Sequence, residues 1–173
     1  MMGEPDGYLL VTGEYWSDRI HSDLGKMSAE TLVQWQGLFQ HAASASSSKP
    51  SAKWVKAGIG YVNDVGSDAF IRHLSEWLPE VAKGRSLRGI SQHQYDTRSA
   101  ADTFNEGNAT VLRGLVWMLT AHASAVVPRL MGDLLLTSVK KVPGVGPRAV
   151  KVANACVWAL GELAAADDEK IRD

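Results

Sequence analysis

Apolar residues recur at three- and four-residue steps through most of the chain, with polar residues between them. That spacing puts the apolar side chains on one face of an α-helix. Capping residues and breaks at glycine and proline divide the pattern into segments. The pattern therefore predicts an all-α fold with seven helices, at 14–24, 29–45, 52–65, 67–83, 108–122, 125–141 and 147–165.

Individual residues set the predicted helix ends. Ser28, Ser51, Ser67 and Asn108 stand where N-caps are expected, because their side chains can accept a hydrogen bond from the first turn. Pro79 is expected to kink or shorten the fourth helix, since proline lacks an N–H and clashes with the preceding turn. Gly84 is expected to end that helix.

The regions outside the periodic segments define the predicted domain organisation. Residues 1–13 are polar, contain glycine and proline, and are expected to be flexible, whereas residues 14–165 form the helical-repeat domain. Residues 84–107 show no sustained period and predict a long loop. Residues 166–173 look like the truncated start of a further helix, which suggests an N-terminal piece of a longer protein. The alternative is a complete short bundle whose last helix is central.

The spacing of the tryptophans indicates an internal repeat. Pairs of tryptophans one hairpin apart are separated by about forty residues. At a constant offset of 41 residues, the segment 114–119 also matches the segment 155–160, small residue for small and apolar for apolar. A repeat of this length predicts paired antiparallel helices stacked as a short HEAT- or armadillo-like α-solenoid. The final helix is apolar on nearly every side, so we expect it to need covering on more than one face.

Two stretches carry a resemblance to known proteins. KVANACVWALGEL, at 151–163, resembles a helix of the HEAT family. The wider stretch 35–163 is similar to the helical-repeat region of large bacterial proteins of unknown function, some of which carry a WGR module or a name tied to molybdate regulation. This chain shows no such module. The resemblance implies an all-helical solenoid and transfers no catalytic residue.

Composition and charge narrow the function classes. Eighteen Lys and Arg against nineteen Asp and Glu exclude a polybasic nucleic-acid arm, so any nucleic-acid contact must be local. The single cysteine, Cys156, excludes an intrachain disulfide and a multi-cysteine metal site, and it is expected to be an inert core thiol. The start of the chain lacks the features of a signal peptide, which indicates the cytoplasm, and no membrane association is expected.

The most specific short motif is VPGVGPRAV, at 142–150. It resembles the helix-hairpin-helix of DNA repair proteins, in which two glycines let backbone amides approach a phosphate. The residues that would contact a phosphate or a partner are Lys140, Lys141, Gly144, Gly146, Arg148 and Lys151. The favoured alternative is a turn between repeats, in which the glycines supply unusual backbone angles and Pro147 starts the next helix.

Other polar groups give weaker signals. His93, Tyr95, Asp96 and Asp102 form the only dense polar group of the long loop, and a solvated loop explains them best. The histidines lack metal-ligand spacing, and no nucleotide-binding or nucleophile motif is present, so neither a metal nor a cofactor is expected.

These observations predict a non-catalytic scaffold that binds a protein partner or the rest of its own longer chain. The alternative function is nucleic-acid binding through the turn at 142–150. A third class, an enzyme that excises alkylated DNA bases, needs a catalytic carboxylate beside aromatic residues in a basic groove. The sequence does not assemble such a site.

Overall fold

The computed structural model describes residues 10–86, 104–122 and 124–172. These residues form seven α-helices, one 3-10 helix and one short β-hairpin. The helices are α1 (Tyr15–Leu24), α2 (Ala29–Ala43), α3 (Ala52–Val65), α4 (Ser67–Trp77), the 3-10 helix (Leu78–Lys83), α5 (Glu106–Thr120), α6 (Val126–Val139) and α7 (Val150–Arg172), and the hairpin pairs β1 (Lys141–Val142) with β2 (Gly146–Pro147). The all-α fold predicted from the sequence is confirmed. No helix in the described ranges combines the length and apolar character that crossing a bilayer requires.

Several helix ends lie where local chemistry predicts them. The Ser28 hydroxyl accepts a hydrogen bond from the Thr31 amide, and the Ser51 hydroxyl accepts one from the Trp54 amide. Pro79 lies at the start of the 3-10 helix, so α4 ends before it as expected. Gly84 follows with a φ of 76°, a conformation that glycine adopts readily.

The helices other than α3 stack in two rows, and α3 packs against α2, α4 and α5. In one row, α2 packs against α5 and α5 packs against α7. In the other, α1 and α4 contact the 3-10 helix, which in turn packs against α6. Because α7 also packs along α6, it closes both rows at one end of the stack.

Tryptophan side chains link these rows through the core. Trp16, Trp35, Trp77 and Trp117 are almost fully buried. The ring of Trp35 lies edge-on to Trp77 with the centroids 5.1 Å apart, and the rings of Trp117 and Trp158 are 6.4 Å apart. The tryptophans are core anchors, as their spacing predicts.

The α2–α5 crossing depends on a glycine. A Cβ atom placed on Gly114 would lie 2.3 Å from the carbonyl oxygen of Ala42 and 2.5 Å from its Cα. Glycine therefore lets the two helix backbones approach more closely than any other residue would allow.

Burial and hydrogen bonds connect the segment before α1 to the helices. Leu10 is buried, and the Asn108 amide binds both backbone groups of Val11, donating to its carbonyl and accepting from its N–H. Asn108 also donates to the buried Glu14 carboxylate at 2.7 Å. The prediction of a flexible segment is therefore wrong for residues 10–13, while residues 1–9 lie outside the described residues. The predicted cap at Asn108 is also wrong, since α5 begins earlier and Asn105 caps it. The predicted cap at Ser67 is wrong as well, because Ser67 is the first residue of α4 and Gly66 occupies the N-cap position.

The last helix differs from its prediction at both ends. It begins at Val150 rather than Pro147, because residues 141–147 form the hairpin. It then continues without a break to Arg172. Residues 166–172 are the final turns of α7, not the start of a further helix, because alanine, glutamate and lysine favour the helical conformation even without an apolar stripe.

Candidate functional site

A cleft lies where the start of α5, the β-hairpin and the start of α7 meet. Its volume is about 620 Å³, and we call it the hairpin cleft. The side chains that carry its charge are Arg113, Arg148, Lys151 and Glu106. The remaining lining residues are small, polar or apolar: Ser47, Ser48, Phe104, Ala109, Val145, Pro147, Ala149, Val150 and Asn154.

The hairpin owes its shape to two glycines. Gly144 has a φ of 79° and Gly146 a φ of 108°, and a Cβ atom on either would meet open space. Backbone conformation therefore requires these glycines, as the turn interpretation predicts. The Arg148 amide donates to the Lys140 carbonyl and the Ala149 amide to the Ser138 carbonyl, so both amides are used within the protein.

Arg148 points inward, which does not fit the exposed phosphate contact considered from the sequence. The residue is only 8% exposed. Its guanidinium donates to the Thr137 hydroxyl at 2.8 Å and to the Val81 carbonyl at 2.7 Å, and it lies 4.9 Å from the centre of the Phe104 ring. Arg148 thus joins α6, the 3-10 helix and the hairpin and forms a fixed wall of the cleft.

The other sequence-predicted residues divide between two places. Lys151 lines the hairpin cleft and donates to the Thr110 hydroxyl at 2.9 Å and to the Glu106 carboxylate at 3.3 Å. Lys140, Lys141 and Gly144 are exposed and do not line the cleft. The structure therefore brings Arg148 and Lys151 to one cavity but leaves the paired lysines outside it.

Sequence reasoning missed Arg113, the third basic residue of the cleft. It lies on α5 among apolar residues, and its guanidinium donates to the Ala45 carbonyl just beyond the end of α2. The same guanidinium lies 5.4 Å from the centre of the Trp117 ring. Burial lowers the pKa of Arg113. Arg113 is the single Lys or Arg of α5, and this local feature gives no indication of its contacts.

A second polar cluster lies on the opposite row. The ligand atoms of Asp23, His73 and Glu76 lie within 4.8 Å of one another, close enough to hold a metal ion. Arg19, however, pairs with both carboxylates at 3.1 Å, and Trp77 donates to Asp23 at 2.8 Å. The Arg19 guanidinium already supplies the positive charge that a metal ion would bring to this cluster. About fifty residues of sequence separate Asp23 from His73 and Glu76, so no local motif indicates the cluster.

The single cysteine and the polar group of the long loop are the remaining candidates from the sequence. Cys156 is fully buried, and burial raises the pKa of its thiol to about 12, which fits the expected inert core thiol. His93, Tyr95, Asp96 and Asp102 lie outside the described residues.

A different kind of surface runs along α7. Val150, Asn154, Val157 and Gly161 follow one another at helical spacing and are all exposed, and we call them the outer face of α7. Leu136 and Val139 of the neighbouring α6 are exposed as well. The structure thus leaves apolar side chains uncovered on the last helix of the stack.

Comparisons with known proteins give no relative for this chain: no protein-family model matches it, and no curated protein or solved structure shows significant similarity to it. The resemblance to HEAT-like bacterial regions therefore stays a prediction.

Proposed function

We propose that this chain is a non-catalytic helical-repeat scaffold that binds a protein helix, from a partner or from a further part of its own chain, on the outer face of α7. The observation that carries the proposal is a difference between two positions 41 residues apart. Val116 on α5 is fully buried, whereas its counterpart Val157 on α7 is 58% exposed.

The packing explains this difference. Within its row α5 is covered on one side by α2 and on the other by α7, whereas the main packing partners of α7 among the described residues are α5 and α6. A further helix on the outer face of α7 would repeat the arrangement around α5. Fully burying a valine contributes about 1.5 kcal/mol or more, so a few such side chains supply useful binding energy.

A site-specific photo-crosslinker tests the proposal. We would place it at Val157, and at Val33 as a matched control, since Val33 is 65% exposed on the distant α2. The proposal expects a defined protein to crosslink from Val157 and not from Val33.

Binding of that protein, once purified, must then respond to substitution. Val157→Lys should weaken the affinity at least about tenfold, or 1.4 kcal/mol, while Val33→Lys should leave it unchanged. Equal crosslinking from both positions, or an affinity indifferent to Val157→Lys, would contradict the proposal.

Nucleic-acid binding through the hairpin is the second candidate. The exposed Lys140 and Lys141, adjacent at the base of the hairpin, support it. Labelled duplex DNA titrated at two salt concentrations tests it, because a phosphate contact must weaken as salt rises. Loss of binding in Lys140→Gln and Lys141→Gln variants is expected, and no binding at low salt would exclude this function.

A further inference from the structure

Arg113 presents an unbalanced charge at the hairpin cleft. Among the described residues no carboxylate pairs with it, and its Nε is buried without a hydrogen-bond partner. The contacts with the Ala45 carbonyl and the Trp117 ring orient the guanidinium but carry no full negative charge. Because a partly buried cation is costly without a counter-charge, an anion at this position would stabilise it.

Lys151 supplies a second positive charge to the same cavity. Its partner Glu106 has a side chain that is 87% exposed, so this ion pair is weak and can be exchanged for a ligand. The first residues of α7 also line the cleft, and the start of a helix favours negative charge.

We propose that the hairpin cleft binds the terminal phosphate of a phosphomonoester, held between Arg113 and Lys151. A terminal phosphate carries nearly two negative charges at neutral pH, which matches two cations better than a single carboxylate does. Ser47 and Ser48 also line the cavity.

The size of the cavity favours a ligand larger than inorganic phosphate. A volume of about 620 Å³ falls within the range of small-molecule sites. Val145, Pro147 and Val150 form an apolar wall that would contact the organic part of the ligand. The cleft shares Val150 and Asn154 with the outer face of α7, so the two proposals are told apart by Arg113 and Lys151, which line only the cleft, and by Val157, which belongs only to the outer face.

Isothermal titration calorimetry with inorganic phosphate, AMP and adenosine, all at one ionic strength, tests the proposal. Saturable binding of phosphate and of AMP is expected, and AMP should bind more tightly than phosphate. Adenosine should show no binding. Arg113→Met and Lys151→Met should each weaken AMP binding at least about tenfold. Lys140→Met is the matched control, because it removes a nearby exposed charge outside the cleft, and it should have no effect.

Two results of this titration would overturn the proposal. The first is the absence of saturable binding of both phosphate and AMP. The second is binding that Lys151→Met leaves unchanged, a test that holds even if Arg113→Met fails to fold.

An oligonucleotide that ends in a 5′-hydroxyl separates diester binding from monoester binding. If it binds more tightly than AMP and loses affinity in Lys140→Met, the phosphate contact belongs to the outside of the hairpin and the cleft proposal fails. A separate experiment compares AMP binding below and above the second pKa of its phosphate group, which is about 6 for a phosphomonoester. Binding should strengthen at the higher pH, and the opposite trend would count against a site for the dianion.

Discussion

Replacing Gly114 by alanine should destabilise the protein more than its small size suggests. The added Cβ would lie 2.3, 2.5 and 2.7 Å from the carbonyl oxygen, Cα and carbonyl carbon of Ala42, where ordinary contact begins at 3.4 Å. Because all three are backbone atoms, no side-chain rotation can relieve the overlap, and α2 and α5 must move apart. Overpacking costs about 1–3 kcal/mol and sometimes more. We expect Gly114→Ala to lie at the upper end of that range.

Gly132→Ala on α6 is the matched control. Nothing lies within 4 Å of a Cβ at that position, so the substitution should stabilise the helix by about 0.5–1 kcal/mol. Urea unfolding followed by circular dichroism measures both effects. For a chain of this size, a loss of about 3 kcal/mol lowers the melting temperature by about 6–12 °C.

The double variant Ala42→Gly with Gly114→Ala sharpens this test. Removing the Ala42 methyl leaves the backbone atoms of residue 42 in place, so we expect no rescue. Equal stability of Gly114→Ala and the wild type would refute the close crossing of α2 and α5. Rescue by Ala42→Gly would show that the conflict involves side chains instead.

Three further predictions concern titratable groups. Cys156, with a thiol pKa raised to about 12 by burial, should not react with Ellman's reagent in the native protein and should react fully in urea; rapid native reaction would contradict its burial. Burial raises the pKa of Glu14, although hydrogen bonds from Asn105, Asn108 and Trp16 oppose the shift, so the native state binds the proton more tightly than the unfolded state. The free energy of unfolding of the wild type, relative to that of Glu14→Gln, should therefore increase as pH falls through the usual glutamate range. Urea midpoints of both proteins measured across this pH range test the prediction. A relative stability that decreases as pH falls would show that the native state favours the carboxylate. At Asp23, burial raises the pKa but hydrogen bonds from Trp77 and Arg19 outweigh it and lower the pKa overall. Asp23→Asn should thus be destabilising at neutral pH and approach the wild type in acid, and a difference independent of pH would argue against these bonds.

Much of the helical fold could be predicted because its signals are local. The caps at Ser28 and Ser51, the stop at Pro79 and the turn at Gly84 each act within a few residues. The start of α5 could not be predicted correctly because the sequence offers two asparagines near it. Asn108 looks like an N-cap, but its side chain hydrogen-bonds Val11, 97 residues away, and Asn105 is the N-cap.

The candidate site was harder to predict for the same reason. The motif at 142–150 correctly indicated a tight turn, since the glycine conformations follow from their neighbours. The inward orientation of Arg148 depends on the Val81 carbonyl, 67 residues earlier, which no local pattern encodes. Arg113 reaches the cleft only because α5 crosses α2, and the periodic pattern gave no reason to separate it from an ordinary surface arginine.

The contact between Asn108 and Val11 has a consequence for biosynthesis. It closes a ring of almost a hundred residues, and contacts between such distant residues form slowly. During translation Val11 leaves the ribosome long before Asn108, its hydrogen-bond partner on α5. In the nascent chain, the segment before α1 therefore lacks its hydrogen bonds to Asn108 until Asn108 emerges from the exit tunnel.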